Sequence, residues 1–333
     1  MRIAVVTTSY PTERDPGGHF VKSEVQALVS EGHEVSVLMP AAGTRSCPGN
    51  PSLQALCSAS LPRGESAFGW PGVVPRLRAA PWRMFGIARF VALVRQRLRR
   101  MAPARIVLHW LLPVAPLVLS GVDTQACEVE IVVHGSDARL LMLLPRRMSV
   151  GILKQLLRQR VLFRCVSEAL AHDLRALVPE IERSCSVAPC RIEVPKIDRQ
   201  HARRRLQIEQ NAFLAVVVGR LLPSKRVDCA LECAPVPRGA RWVVVGDGPL
   251  QRELERRFPN VQFVGRTSHV DALTWIAAAD VLVSASEHEG SPSTVREARA
   301  LGTLVWAAPA GDLANWAARD PGIRLLPELA SRG

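Results

Sequence analysis

Two carboxylates, Glu289 and Glu297, stand with seven residues between them across the stretch Ser284 to Ala298, which carries Gly290, Ser291 and Pro292 in its middle. Before it, Ala279 to Val283 is a short β-branched apolar run that predicts a buried strand of a parallel sheet. After it, Thr294 to Leu301 predicts a helix, with Ser293 as N-cap and Gly302 where a C-cap glycine belongs. The loop between them therefore falls at the carboxyl end of a strand and at a helix N-terminus. Open α/β sheets bind ligands there, and the free amides favour an anion. A carboxylate accepts two hydrogen bonds side by side, which suits the vicinal hydroxyls of a sugar or a ribose. Read from spacing alone, Glu297 could equally be a surface helix residue and Glu289 a loop charge.

Other residues that could do chemistry sit at further strand ends. Ala215 to Val218 runs into Gly219, Arg220 and, after four more residues, Lys225. This is not a P-loop, because the second glycine and the hydroxyl residue after the lysine are missing. His109 and His134 each follow a β-branched run, at Ile106-Val107-Leu108 and Ile131-Val132-Val133. Gly17-Gly18 follows the first strand, and no Gly-x-Gly-x-x-Gly occurs there, which disfavours a nicotinamide enzyme.

The run Glu289-Gly290-Ser291-Pro292, then Glu297-Ala298 and Gly302, resembles the donor-site motif of the retaining glycosyltransferases of family 4. The same order of signals extends over residues 1 to about 325. The resemblance implies an α/β chain of the GT-B fold, two Rossmann-like doubly wound parallel-sheet domains facing a cleft. It implies that Glu297 binds the ribose and Glu289 the sugar hydroxyls. Gly219, Arg220 and Lys225 match the family's Gly-Arg-x4-Lys, whose cations hold the donor diphosphate. A planar guanidinium and a compact ammonium can offset two phosphate charges without a metal. The amides near Gly290, with Ser291 and Pro292, complete that loop. The pair Gly17-Gly18 lets backbone approach the donor phosphates, and Gly265-Arg266 lies where the base is held. His134-Gly135-Ser136-Asp137 matches the loop whose histidine lines the cleft, and His109 is expected on the acceptor side. The implied reaction is a metal-independent, retaining transfer from a nucleotide diphosphate sugar to a hydroxyl of a lipid-linked or saccharide acceptor, with no cofactor. Cell-surface polysaccharide or glycolipid assembly is the expected setting. The sequence has no Asp-x-Asp, the metal-diphosphate signature of the other main glycosyltransferase fold.

The elements that must position these residues divide at 193/194: an acceptor-side domain over 1–193 and a nucleotide-sugar domain over 194–333. Ile3 to Thr7, a helix from about Phe20 to Ser30 and a strand at Val35 to Leu38 form an opening βαβ unit. Pro40 to Pro81 is rich in Pro, Gly and Ser and is expected to be mostly loop. Ser167 is the expected N-cap of a helix over Ala169 to Leu177, and Ser184 to Pro189 the last strand before the crossing. Cys190-Arg191-Ile192-Glu193 replaces the family's usual Asn-Gly-Val-Asp there, and the chain stops soon after Leu326, short of the family's last helices. These two departures support an alternative, a catalytically impaired sugar-nucleotide-binding subunit that needs a partner. A glycoside hydrolase would use two carboxylates but has no need of a diphosphate clamp.

Composition bounds the rest. A chain of 333 residues, 48% hydrophobic, can fill two cores. Its formal net charge of +13 is gathered in two acid-free stretches, nine arginines between Glu65 and Asp123 and seven basic residues between Asp137 and Glu168, so the remainder is slightly acidic. Arg83 to Met101 reads as an amphipathic helix, with Met84, Ile87, Ala88, Val91, Val94, Leu98 and Met101 as its apolar stripe. It either packs on the sheet or docks, as part of Arg83–Arg105, on an anionic membrane surface. With aromatics at 5% and no helix-turn-helix or zinc finger, nucleic acid is not an expected partner. The longest apolar run, Ile106 to Leu119, has 14 residues, too few to span a bilayer. The N-terminus lacks a signal-peptide shape. The eight cysteines show no paired metal spacing, and no metal site is expected. The protein is expected in the cytoplasm, at most peripheral at the inner face of the plasma membrane.

Overall fold

The computed structural model of the chain describes residues 1–11, 17–41, 53–57, 66–69 and 72–327. It divides into two compact units, Met1–Arg191 and Ile192–Gly333.

The first unit is built on seven parallel strands: β1 (Arg2–Val6), β2 (Glu34–Ala41), β3 (Leu53–Cys57), β4 (Arg105–His109), β5 (Glu128–Val133), β6 (Leu162–Cys165) and β7 (Cys185–Val187). Their order is β3-β2-β1-β4-β5-β6-β7, so the winding reverses between β1 and β4. Runs such as Ile106–Leu108 and Ile131–Val133 are buried on both faces, as parallel strands covered by helices require. The second unit repeats the plan with β8 (Leu214–Val218), β9 (Arg241–Val245), β10 (Gln262–Gly265), β11 (Val281–Ser284), β12 (Leu304–Ala307) and β13 (Ile323–Leu325), in the order β10-β9-β8-β11-β12-β13. Here the reversal lies between β8 and β11, which pair through Val281 with Ala215 and Leu282 with Val216.

Several expectations need correction. The Pro40 to Pro81 stretch is not only loop. It contributes β3, paired in parallel with β2, and a helix Val73–Ala79; the rest of it lies mainly outside the described residues. The segment Asp15-Pro16 that leads into Gly17-Gly18 also lies outside them. Ser293 is the first residue of the helix Ser293–Ala300, not its cap; Pro292 occupies the cap position. At the other end Gly302 adopts φ +79°, and the Gly302 and Thr303 amides donate to the carbonyls of Arg299 and Ala298, closing the helix as expected. The crossing segment Cys190–Glu193 has no regular structure, with Cys190 buried and Arg191 paired to Glu31 at 2.9 Å.

The basic helix, Met84–Met101, changes most. Ile87, Phe90, Val91, Val94 and Leu98 are buried in the first unit's core, so its apolar stripe is not available to lipid. Met84 is 60% exposed and Ala88 is also outward, because the buried face turns through Phe90 instead. Arg95 is bound to the Leu117 carbonyl and the Ser120 hydroxyl, and Arg99 donates to the Gly121 carbonyl at 3.1 Å. These two arginines therefore close the end of a neighbouring helix, Ala115–Leu119. Arg97 and Arg100 remain outward.

Candidate active site

In the second unit the topology brings together residues that lie far apart in sequence. Because β8 and β11 are neighbours at the reversal, the loop after each opens at the same sheet edge. The Glu287 amide donates to the Ser224 carbonyl at 2.9 Å, which ties the two loops. Lys225 Nζ then donates to Glu289 Oε1 at 2.6 Å, with the two side chains 27% and 13% exposed. Gly311 supports this loop from behind: a Cβ there would meet the Glu289 carbonyl oxygen at 2.4 Å, and its φ of +57° also favours glycine. Gly246 is packed as closely, against Gly219. A Cβ on Gly246, at φ +130°, would lie 2.0 Å from the Gly219 carbonyl oxygen.

Glu297 is not a surface residue. It is buried on the inner face of the helix Ser293–Ala300, beside Val295 and Ala298, and lies 3.0 Å from His269 Nε2. That histidine opens the helix His269–Ala278, capped by Ser268, which accepts from the Asp271 amide at 3.1 Å. The sequence reading missed His269; nothing in its spacing relates it to Glu297. Arg266 is held by Asp247, with nitrogen to oxygen distances of 3.0 to 3.2 Å, next to Gly265 at φ +76°. Arg220 is outward at the end of β8. Gly290 and Pro292 are buried, and the buried Ser291 hydroxyl has no hydrogen-bond partner among the described residues. The leading amides of the Ser293 helix likewise have no side-chain cap. An uncapped helix start, an orphan hydroxyl, a lysine and two carboxylates can receive an anionic, hydroxyl-rich ligand.

In the first unit His109 ends β4 and His134 follows β5, and these strands pair through His109 with Val132. His109 Nδ1 lies 3.3 Å from His134 Nε2, and the rings are 5.5 Å apart at 25°. Trp110 and Phe20 flank His134 at ring distances of 4.8 and 5.1 Å. Burial, helped by the neighbouring His109, pushes the His134 imidazole well below its usual range, so it is neutral. Asp137, three residues on, accepts from the Leu111 amide at 2.5 Å and so joins the two histidine loops. Burial pushes its carboxyl up to about 7 despite amide hydrogen bonds that favour the anion. Gly18, at φ +83°, begins the helix His19–Ser30, and its absent Cβ would sit 2.5 Å from the Ser9 carbonyl oxygen; Gly17 precedes it in the same turn. The structure also brings Cys190 to the histidines: His109, His134 and Cys190 each offer a ligand atom within 4.8 Å of the others. Their spacing in the sequence gave no sign of this grouping.

Against known proteins, residues 212–327 match the family model described as Glycosyl transferases group 1. The whole chain is similar to TuaC of Bacillus subtilis, a glycosyltransferase named for teichuronic acid biosynthesis, with 26% identity over 99% of this chain and 86% of that protein. A GDP-mannose-dependent alpha-mannosyltransferase of Mycolicibacterium smegmatis is 33% identical over 35% of this chain and 31% of its own length. Among solved structures, sucrose-phosphate synthase from Thermosynechococcus elongatus superposes with a TM-score of 0.74 at 17% identity, covering 98% of this chain and 86% of that one, a likeness of fold. With its two doubly wound parallel sheets, the chain is a glycosyltransferase with the GT-B fold, and its residues 212–327 are similar to the group 1 family.

Proposed function

We propose that this glycosyltransferase moves a sugar from a nucleoside diphosphate sugar to an acceptor hydroxyl, with retention of configuration and without a metal. The observation that carries the reading is the Lys225 and Glu289 pair beside the uncapped start of the helix Ser293–Ala300, with Glu297 buried behind it. Negative charge develops on the diphosphate as the bond to the anomeric carbon breaks. Lys225, Arg220 and the amides after Gly290 are the groups that oppose it. Glu289 takes hydroxyls of the transferred sugar, and Glu297, fixed by His269, takes the ribose. Gly219, Gly265 and Arg266 flank the nucleotide, and Gly17 and Gly18 lend amides to its phosphates. His134, neutral and flanked by rings, positions the reacting sugar, with His109 behind it. The similarity to TuaC supports a polysaccharide or lipid-linked saccharide as acceptor, and the mannosyltransferase supports a nucleotide sugar as donor.

The surface of the first unit favours an anionic membrane as the place of work. Trp82, Met84 and Phe85 are 44%, 60% and 64% exposed at the start of the basic helix, whose outward face carries Arg97 and Arg100. No helix among the described residues is long and apolar enough to cross a membrane. Such a protein would act at the inner face of the plasma membrane.

Thermal unfolding with UDP, GDP, ADP and their sugar conjugates tests the donor site. Occupancy at about 100 times Kd stabilises by roughly 2.7 kcal/mol. Stabilisation by one base, abolished in Glu297→Ala, is expected. No shift with any of them refutes the reading.

A further inference from the structure

The first unit gathers a set of metal ligands for which the proposed transfer has no use. His109 ends β4, His134 follows β5 and Cys190 comes shortly after β7, so the ends of three strands of one parallel sheet deliver them. Each of the three offers a ligand atom, all within 4.8 Å of one another. His109 Nδ1 lies 3.3 Å from His134 Nε2; the ring centroids are 5.5 Å apart and the planes differ by 25°, so the rings meet nitrogen to nitrogen. In a tetrahedral zinc site, with bonds of about 2.0 to 2.1 Å to nitrogen and about 2.3 Å to sulfur, two nitrogens stand about 3.3 Å apart and sulfur about 3.6 Å from each. The two rings are thus already spaced for one ion. A tilt of the rings and a small turn of the Cys190 side chain complete the set.

The surroundings of His109 are those of a ligand. Its other nitrogen, Nε2, lies 3.2 Å from Glu24 Oε2. Arg164, in β6, grips that carboxylate with both terminal nitrogens, at 2.7 Å to Oε1 and 2.9 Å to Oε2, and its Nε donates to Glu130 at 3.0 Å. A pinned carboxylate behind an imidazole is the arrangement that orients metal-bound histidines. His109 and Cys190 are buried, whereas His134 is partly exposed and gives an ion its way in. The metal takes the place of the proton shared by the two rings, whichever ring carries it, and binds Cys190 as the thiolate, so protons are released to solvent.

We propose that His109, His134 and Cys190 bind a borderline-soft divalent cation of the zinc class, and that the bound ion shuts off transfer by occupying His134. Two imidazoles and a thiolate select zinc over magnesium, calcium and manganese, which prefer oxygen ligands. Three protein ligands leave the fourth position to water. The inhibition, though not the site, rests on His134 serving the transfer reaction.

Cobalt serves as the visible stand-in for zinc. Titrated into the full chain, reduced and then freed of reductant, it should give the visible bands of a tetrahedral ion and a thiolate-to-cobalt band in the near ultraviolet. Zinc should bleach both, and magnesium neither. In Cys190→Ala the near-ultraviolet band is lost. In Glu24→Gln it persists, while zinc binds about 10- to 100-fold more weakly. Should either variant fail to fold, His134→Asn removes a partly exposed ligand, and the tetrahedral bands should go with it. Octahedral cobalt without a sulfur band in the wild type, or a sulfur band unchanged in Cys190→Ala, overturns the site. Turnover is followed as release of UDP, GDP or ADP from the matching glucose, mannose and N-acetylglucosamine conjugates. It should be lost as zinc fills the site, return on chelation, and resist zinc in Cys190→Ala, whose turnover without metal matches the wild type. Equal zinc sensitivity in Cys190→Ala overturns inhibition through this site. Zinc that fills the site and leaves turnover unchanged instead refutes the role of His134 in transfer, with the metal site standing.

Discussion

Replacing Lys225 by alanine separates a diphosphate clamp from a structural ion pair. Lys225 Nζ sits 2.6 Å from Glu289 Oε1, and both side chains are largely withdrawn from solvent. A hydrogen bond between charged groups in such a place contributes about 1.5 to 3 kcal/mol. If the ammonium passes to a phosphate oxygen when the donor arrives, Lys225→Ala weakens a nucleoside diphosphate about 10- to 150-fold. The free nucleoside, which does not reach Lys225, should be unchanged within about twofold. Titration calorimetry with UDP, GDP and ADP against the matching nucleosides makes the comparison. Glu289→Gln supplies the counter-experiment. It releases Lys225 from its carboxylate, so the bare nucleoside diphosphate binds as well or more tightly, whereas the sugar conjugate loses its hydroxyl acceptor and binds more weakly. A double-mutant cycle on folding stability then isolates the coupling of the pair, expected at 0.5 to 3 kcal/mol. Equal loss of nucleoside and nucleoside diphosphate affinity in Lys225→Ala refutes the clamp and leaves the pair as a loop brace.

Three further outcomes follow from the geometry. Asp137 has its carboxyl raised to about 7 from an unfolded value of 3.8, so the folded state holds a proton that the unfolded chain has lost. Stability contributed by this group is therefore full below about pH 4 and declines as pH rises towards 7; Asp137→Asn should flatten that slope in thermal melts and raise Tm at pH 8. Gly311→Ala pushes a methyl to 2.4 Å from the Glu289 carbonyl at a φ of +57°, and should lower stability by about 1 to 3 kcal/mol and nucleotide-sugar affinity with it; a neutral effect in melting and binding would mean that the loop is not seated there. Arg97→Gln with Arg100→Gln should reduce sedimentation with anionic vesicles by about 1 kcal/mol per charge, and Trp82→Ala with Phe85→Ala should reduce it further; unchanged sedimentation returns the basic face to a role in solution.

The sequence alone determined the architecture, because periodicity is a local property. Runs such as Val216–Val218 and Ile131–Val133 are strands wherever they occur, and their alternation with helices requires parallel winding. The loops carrying Glu289 and Lys225 could be placed at strand ends for the same reason. The amphipathic helix Met84–Met101 was legible as a helix, but not what covers it. A stripe with Ile87, Val91, Val94 and Leu98 satisfies a core or a lipid surface equally, and only the packing shows that a core takes it. The same holds for Arg95 and Arg99, which read as free charge and are spent on carbonyls of a neighbouring helix.

Pairings between distant residues were decided by tertiary structure. Lys225 meets Glu289 because β8 and β11 are adjacent at the reversal of the sheet. His269 meets Glu297, and Glu24 meets His109 and Arg164, through packing that leaves no periodic trace in the chain. A carboxylate's type can be read from the sequence, but its partner and its charge state depend on distances of about 3 Å, which exist only once the sheets have closed.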